Sequence, residues 1–280
     1  MIGGRTSYLE IGDCMAKHST AALLAMYDAQ LREAETPSAV SVVRHGPLRL
    51  VTFPAGRGFV TYQNLEGADA RRIRELVVEA LDHYRADPGI SRVEWKTRGH
   101  DQAPGLHEAL LDNGFTPDES ESIMLGEARL LAVDVVLPTG VTLRRVTTEA
   151  DVRAMSAMSG MSDLAFGDPV SGERADALLR RLSIDPSTEL WVAEVGGRMV
   201  SAGRLEPVPN SDFAGIWGGS TLEEWRGRGI YRALTAARAR SALAIGRTWI
   251  NSDSTEYSRP ILERSGFVKV STTTPYEWRR

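Results

Sequence analysis

A single cysteine, Cys14, stands in the 280-residue chain. It cannot form an intrachain disulfide, and a cysteine-based zinc site has no ligands to draw on. A pairing of Cys14 with His18, four residues on, finds no other support in the sequence. Histidine is scarce too: there are five, and none lies beyond His107. A histidine base, or a Ser-His-Asp triad, within the second half is therefore excluded. No metal site is expected. No run of about 18 apolar residues occurs, which excludes a membrane-spanning helix. The opening residues, MIGGRTSYLEIGDCMAKHST, hold no apolar segment of the secretory kind, so the expectation is a soluble cytoplasmic protein. A strong charge of one sign is also missing. The net charge of −4 argues against nucleic acid or an anionic membrane as the main partner.

Apolar residues make up 42% and charged residues 25% of the chain, enough to build a packed core and not a composition of disorder. Ser19 or Thr20 can cap a first helix, with Leu24, Tyr27, Leu31 and Ala34 at helical spacing. Val-, Phe- and Thr-rich strands broken by Gly and Pro follow over residues 39–63. Asp69 can cap the next helix, whose apolar stripe is Ile73, Leu76, Val77, Ala80, Leu81 and Tyr84. A strand with Trp95, a short helix and Gly114-Phe115 come next, then extended chain over 121–137. The second half repeats this order. Thr148 resembles a cap, with Asp151 three residues on. A helix carries Val152, Met155 and Met158, and another Ala175, Leu178, Leu179 and Leu182. A hairpin turns at Gly196 and Gly197, and a strand FAGIWGGST follows. A long helix stops at Gly246, then come a strand with Trp249, a short helix and Gly266-Phe267. Two copies of one plan suggest duplication, with a boundary in VDVVLPTG, residues 133–140.

The stretch TLEEWRGRGIYRAL, 221–234, sits between a strand and a helix. Amides at a helix start lack intrahelical partners and carry the positive end of the helix dipole, so they bind anions, phosphate above all. Glycine at 227 and 229 lets a diphosphate approach the backbone, and Arg226 and Arg228 add charge-assisted donors. A Walker A loop is excluded by the missing Gly-Lys-Ser/Thr, and a dinucleotide fingerprint by Arg232 at its last glycine.

With Arg226, Gly229 and Tyr231 in the places of an Arg/Gln-x-x-Gly-x-Gly/Ala signature, residues 141–280 resemble the GNAT superfamily of N-acetyltransferases. GGSTLEEW resembles the family's fourth strand, and SRPILERSGF its late helix. Tyr231 departs from the small residue that closes the signature. The resemblance implies an α/β (α+β) protein of two GNAT-like domains, each a mixed, mostly antiparallel twisted sheet flanked by helices. Residues 141–280 would bind acetyl-CoA. Its diphosphate would lie on Gly227, Arg228, Gly229, Ile230 and Tyr231 beside Arg226, and its pantetheine arm along Gly219, Ser220, Thr221 and Leu222. Residues 1–135 resemble a degenerate copy. Their strand-to-helix junction, NLEGADARRIREL, has one glycine, and Asp69 stands where phosphate would sit, so this half is not expected to bind CoA.

The implied function is acetyl transfer from acetyl-CoA to an amine of a small molecule or protein; the alternative is a non-catalytic CoA-binding or regulatory protein. The catalytic residues the family often uses do not transfer cleanly. FAGIWGGST holds no carboxylate, and Leu262 occupies the late helix's tyrosine place. Tyr257 is then a substitute acid and Asp253 a substitute base, with Glu206 and Asp168 as further carboxylates; Phe166 and Trp217 could line an acceptor site under the loop MSDLAFGDPVSG.

Overall fold

The structure, a computed structural model, describes residues 18–33, 39–164 and 173–280, with the backbone alone for 161–164 and 173. Cys14, Phe166 and Asp168 lie outside the described residues.

Helix α1 (Thr20–Gln30) begins where Ser19 Oγ accepts from the Ala22 amide, and it buries Leu23, Tyr27 and Leu31 rather than Leu24. Strands β1 (Ser41–His45), β2 (Leu48–Phe53) and β3 (Arg57–Tyr62) form a meander. Helix α2 (Ala70–Arg85) starts at the Asp69 cap and buries all six residues of its apolar stripe. Each such side chain contributes about 1.5–3 kcal/mol on leaving water. Then come β4 (Arg92–Arg98), α3 (Leu106–Asp112), the two-residue β5 (Thr116–Pro117) and β6 (Glu121–Glu127). The extended reading of 121–137 fails after Glu127. There a helical turn, α4 (Ala128–Leu131), buries Ala128 and Leu131 against the later long helix. Local preference agrees, since Ala, Arg and Leu are strong helix formers.

The second half runs β7 (Val141–Val146), α5 (Glu149–Leu164), α6 (Glu173–Ile184), β8 (Glu189–Val195), β9 (Arg198–Pro207) and β10 (Phe213–Thr221). Thr148 Oγ1 accepts from the Asp151 amide, but the Asp151 carboxylate turns to Arg144 instead of closing a capping box. A single 3₁₀ turn (Glu223–Trp225) leads into α7 (Ile230–Ala244), then β11 (Trp249–Ser254), α8 (Arg259–Arg264) and β12 (Val268–Arg279). Gly246, at φ +77°, ends α7 with the Arg247 amide donating back to the Ala242 carbonyl.

The described strands form one twisted sheet of mostly antiparallel strands in the order β1-β2-β3-β4-β12-β6-β11-β10-β9-β8-β7, with β5 beside β12. The two parallel pairs, β3 with β4 and β10 with β11, occupy equivalent places in the two halves. Next to each stands a strand from the other half. β12 pairs with β4 through residues 273–279, and β6 pairs with β11 through residues 122–127. The final strands are thus exchanged, and the sheet runs unbroken across the chain's two halves. Helix α1 covers this crossing, packing Leu23, Tyr27 and Leu31 on Ile123, Leu125 and Val270.

Candidate active site

Strand β10 is held on one side by β9 along its length. On the other side it pairs with β11 only through Phe213, Ala214 and Gly215, opposite Trp249, Ile250 and Asn251. Beyond Gly215 the two parallel strands part. The register against β9 then shifts between Trp217 and Ser220, leaving Gly218 and Gly219 as a bulge. Gly218 has φ +58°, and a Cβ there would lie 2.7 Å from Arg204 Nη1. Both glycines are exposed, so the bulge presents an unpaired backbone edge to the opening.

That edge leads to the start of α7. Arg226, Gly227, Arg228 and Gly229 are all exposed, with Gly227 at φ +72° and Gly229 at φ +79°. Gly229 occupies the N-cap and offers no side-chain acceptor to the first helical amides. A Cβ on Gly227 would meet nothing within 4 Å. Arg226 Nε donates to the Thr221 carbonyl at 3.0 Å, tying the turn to the end of β10, and the Arg228 guanidinium lies 4.9 Å above the Trp225 ring. Tyr231 crosses from α7 to the bulge: a Cβ on Gly219 would lie 2.5 Å from its Cε2 and 3.2 Å from its hydroxyl. Its ring also faces the fully buried guanidinium of Arg238 at 5.9 Å.

The equivalent place in the first half is closed. β3 and β4 pair through residues 57–60 and 92–95, and past them the gap is filled by buried Thr61, Tyr62 and Arg98. Arg98 donates to Thr61 Oγ1 at 3.0 Å and to the Tyr27 hydroxyl at 3.1 Å. The start of α2 already has its anion, since the Asp69 carboxylate accepts from the Arg72 amide at 2.8 Å.

Two cavities, of about 450 and about 290 Å³, meet where the halves face each other and share Phe53, Arg57, Arg181 and Arg204. The smaller reaches the point where β10 and β11 part, lined there by Trp217 and Asn251. Asn251 is 2% exposed, and its buried Oδ1 has no hydrogen-bond partner. Carboxylates gather around it. Asp253 on β11 is bridged by Lys96 Nζ of β4 at 2.8 Å, both largely buried. Glu206 is held by Arg181 at 2.7 Å and Arg204 at 3.0 Å. Glu121, at the start of β6, is pushed up to about 7. Burial is the main cause; the negative charges of Asp253, Asp118 and Glu94 add to it, and Lys96 opposes it.

Of the residues singled out in the sequence, Asp253, Glu206 and Trp217 line this cleft. The residues expected to hold a coenzyme fall in two places: Gly219, Ser220, Thr221 and Leu222 run along the bulge and its exit, and 226–231 form the entry to α7 and its first residues. Tyr257 does not join them: it is 77% exposed in the turn before α8 and lines neither cavity. Local sequence patterns do not single out Glu121, Lys96, Asn251, Arg57 or Arg92, the last of which lines the larger cavity. Four of these five belong to the half not expected to bind CoA. Period-2 alternation tells which face of a strand a residue takes, not which distant strand it will stand beside. Among the described residues no cluster of His, Cys, Asp and Glu suits a metal ion, and no helix is long and apolar enough to cross a membrane.

The chain has the fold of the GNAT N-acetyltransferases. It is similar to a GCN5-related N-acetyltransferase from Kribbella flavida, at 17% identity and TM-score 0.65, over 94% of this chain and 96% of that one. It is similar to a tandem GNAT protein from the clavulanic acid biosynthesis pathway, at 16% identity and TM-score 0.59, over 85% and 81%. A functionally unknown conserved protein from Staphylococcus epidermidis matches at 13% identity and TM-score 0.65, over 86% and 94%. No protein-family model and no curated protein sequence matches the chain.

Proposed function

We propose that the chain is an acetyl-CoA-dependent N-acetyltransferase acting on an amine, with one coenzyme site, in the second half. The observation that carries this reading is the parting of β10 from β11 beyond Gly215, followed along the chain by the Gly218-Gly219 bulge and by the start of α7, whose Gly229 N-cap offers no side-chain acceptor. A pantetheine arm can pair with a free strand edge, and a diphosphate can accept from helix-start amides. The first half has the same plan with both features filled, by Arg98 and Asp69. Acetyl-CoA fits as substrate on this observation, and it would supply the thioester.

The chain's residues then divide the chemistry. The acceptor's ammonium enters the smaller cavity, where Asn251 Oδ1 lacks a donor and Asp253 and Glu121 supply negative charge. Glu121 takes the ammonium proton, and a carboxyl that titrates near 7 is matched to that task. The freed nitrogen forms its bond to the thioester carbonyl, the oxyanion accepts from amides exposed at the bulge, and the C–S bond breaks. Tyr231, its hydroxyl beside Gly219, gives its proton to the leaving thiolate in place of Tyr257, and the second proton shed by the new amide nitrogen restores the phenol.

Titration of the protein with CoA by calorimetry, with thiol release from acetyl-CoA across an amine panel, tests the reading. Micromolar or tighter binding with amine-dependent release supports it. Binding with no release would support the non-catalytic CoA-binding alternative, and absence of binding would remove both.

A further inference from the structure

The larger cavity has a chemistry of its own. Its lining includes six arginines: Arg57, Arg92, Arg174, Arg180, Arg181 and Arg204. No carboxylate lines it among the described residues. The arginines come from both halves, Arg57 and Arg92 from β3 and β4, Arg174, Arg180 and Arg181 from α6, and Arg204 from β9. Arg181 and Arg204 share one carboxylate, Glu206, and Arg57 reaches Glu94 only at 3.8 Å. Arg92 and Arg180 have no ion pair among the described residues. Arg57 Nε is buried without a hydrogen-bond partner. Its pKa is lowered, by burial first, with Arg181 and Arg92 adding to it against Glu94.

Six like charges outnumber the two carboxylates, Glu206 and Glu94, that reach Arg57, Arg181 and Arg204, so an anion entering the concavity relieves the remaining repulsion. The wall between them, Gly218, Gly219 and Ser220, is the exposed edge beside which the thioester would lie. The shared residues Arg57, Arg181 and Arg204 also border the smaller cavity, where with Lys96 they face four carboxylates, Glu94, Glu121, Glu206 and Asp253. Charge is therefore matched in the smaller cavity and one-sided, positive, in the larger, with the transfer point between.

We propose that the arginine arm is the acceptor's anion subsite, and that the acceptor is a small amine bearing a carboxylate or phosphate group. This rests on the acetyltransferase reading above. Guanidinium groups bind both anions through paired N–H donors, and a protein amine without a nearby anion would leave Arg92 and Arg180 without a counter-charge.

The test uses matched probes with the full chain: O-phosphoethanolamine against ethanolamine, and β-alanine against propylamine. Binding is followed by intrinsic tryptophan fluorescence with and without saturating CoA, and turnover by thiol release. An anionic member of at least one pair should bind roughly tenfold or more tighter than its neutral partner, the scale of a lost charge-assisted pair. Which pair shows the larger gap distinguishes phosphate from carboxylate. Arg92→Ala and Arg180→Ala, both at exposed positions, should erase that gap and leave CoA affinity unchanged. Equal binding of both members in both pairs would overturn the subsite. So would a gap that survives in both variants, or a loss of CoA affinity in them, which would assign the arm to the coenzyme's own phosphates. Failure of CoA to bind the unaltered protein would instead sink the acetyltransferase reading, and the fluorescence titration without CoA would still report on the arginines.

Discussion

Gly227 and Gly229 are single residues on which the coenzyme reading turns. Both hold positive φ, and a side chain at 227 would point into open space where the diphosphate is placed. Gly227→Ala should cost roughly 1–2 kcal/mol of fold stability through its left-handed backbone. It should also weaken CoA binding by about tenfold or more, since each lost charge-assisted hydrogen bond is worth about 1.5–3 kcal/mol. Calorimetry on the folded variant checks this; unchanged affinity would refute the diphosphate site. Glu121 carries a pH signature. Its carboxyl is raised from the usual 4.5 to about 7 by burial and by Asp253, Asp118 and Glu94, with Lys96 opposing. The folded protein thus holds this proton more tightly than the unfolded chain. Its stabilising contribution is full below about 4.5 and is lost as pH rises through about 7. Melting curves of Glu121→Gln and the unaltered protein should therefore diverge in the variant's favour between those values. The rising limb of kcat/KM near pH 7 should disappear in the variant. A limb that persists would assign the base elsewhere.

Elements set which of two similar junctions is open. At α2 the cap is a carboxylate, and at α7 it is a bare glycine. Asp69→Ala should cost about 1 kcal/mol in denaturant midpoint analysis. It should leave CoA stoichiometry at one, because Arg98 and Tyr62 still fill the gap between β3 and β4. A second equivalent of bound CoA would contradict this account. The Lys96–Asp253 bridge ties β4 to β11 across the exchanged strands β12 and β6, and its side chains are 9% and 11% exposed. Breaking a buried pair from one side leaves an uncompensated charge, at a cost of about 3 kcal/mol or more. Lys96→Met should show that loss in chemical denaturation. It should also move the Glu121 limb to higher pH, because Lys96 is the charge holding that carboxyl down.

At the scale of the whole molecule, the exchange of β6 and β12 makes the halves interdependent. Residues 1–135 without β12 leave β4 an unpaired edge, and residues 141–280 without β6 do the same to β11. Such edges template aggregation. Each piece expressed alone should be insoluble or lack dispersed amide resonances, while co-expression should restore a folded complex that binds CoA. An independently folded second half would contradict this.

The elements were largely legible in the sequence because local chemistry writes them there. The α2 stripe, the Asp69 and Thr148 caps, the hairpin glycines and the Gly-Arg-Gly entry to α7 all act over a few residues. The helical turn after Glu127 was not, since four residues, Ala128–Leu131, are too few to show a helical period. Likewise the composition of the 221–234 stretch, by itself, determined where an anion could meet backbone. Only the tertiary structure decided what lines the cleft beside β10. Arg57, Arg92, Lys96 and Glu121 border it because strands trade places between halves, and pairing across a sheet depends on long-range hydrogen bonds and burial that no local spacing records.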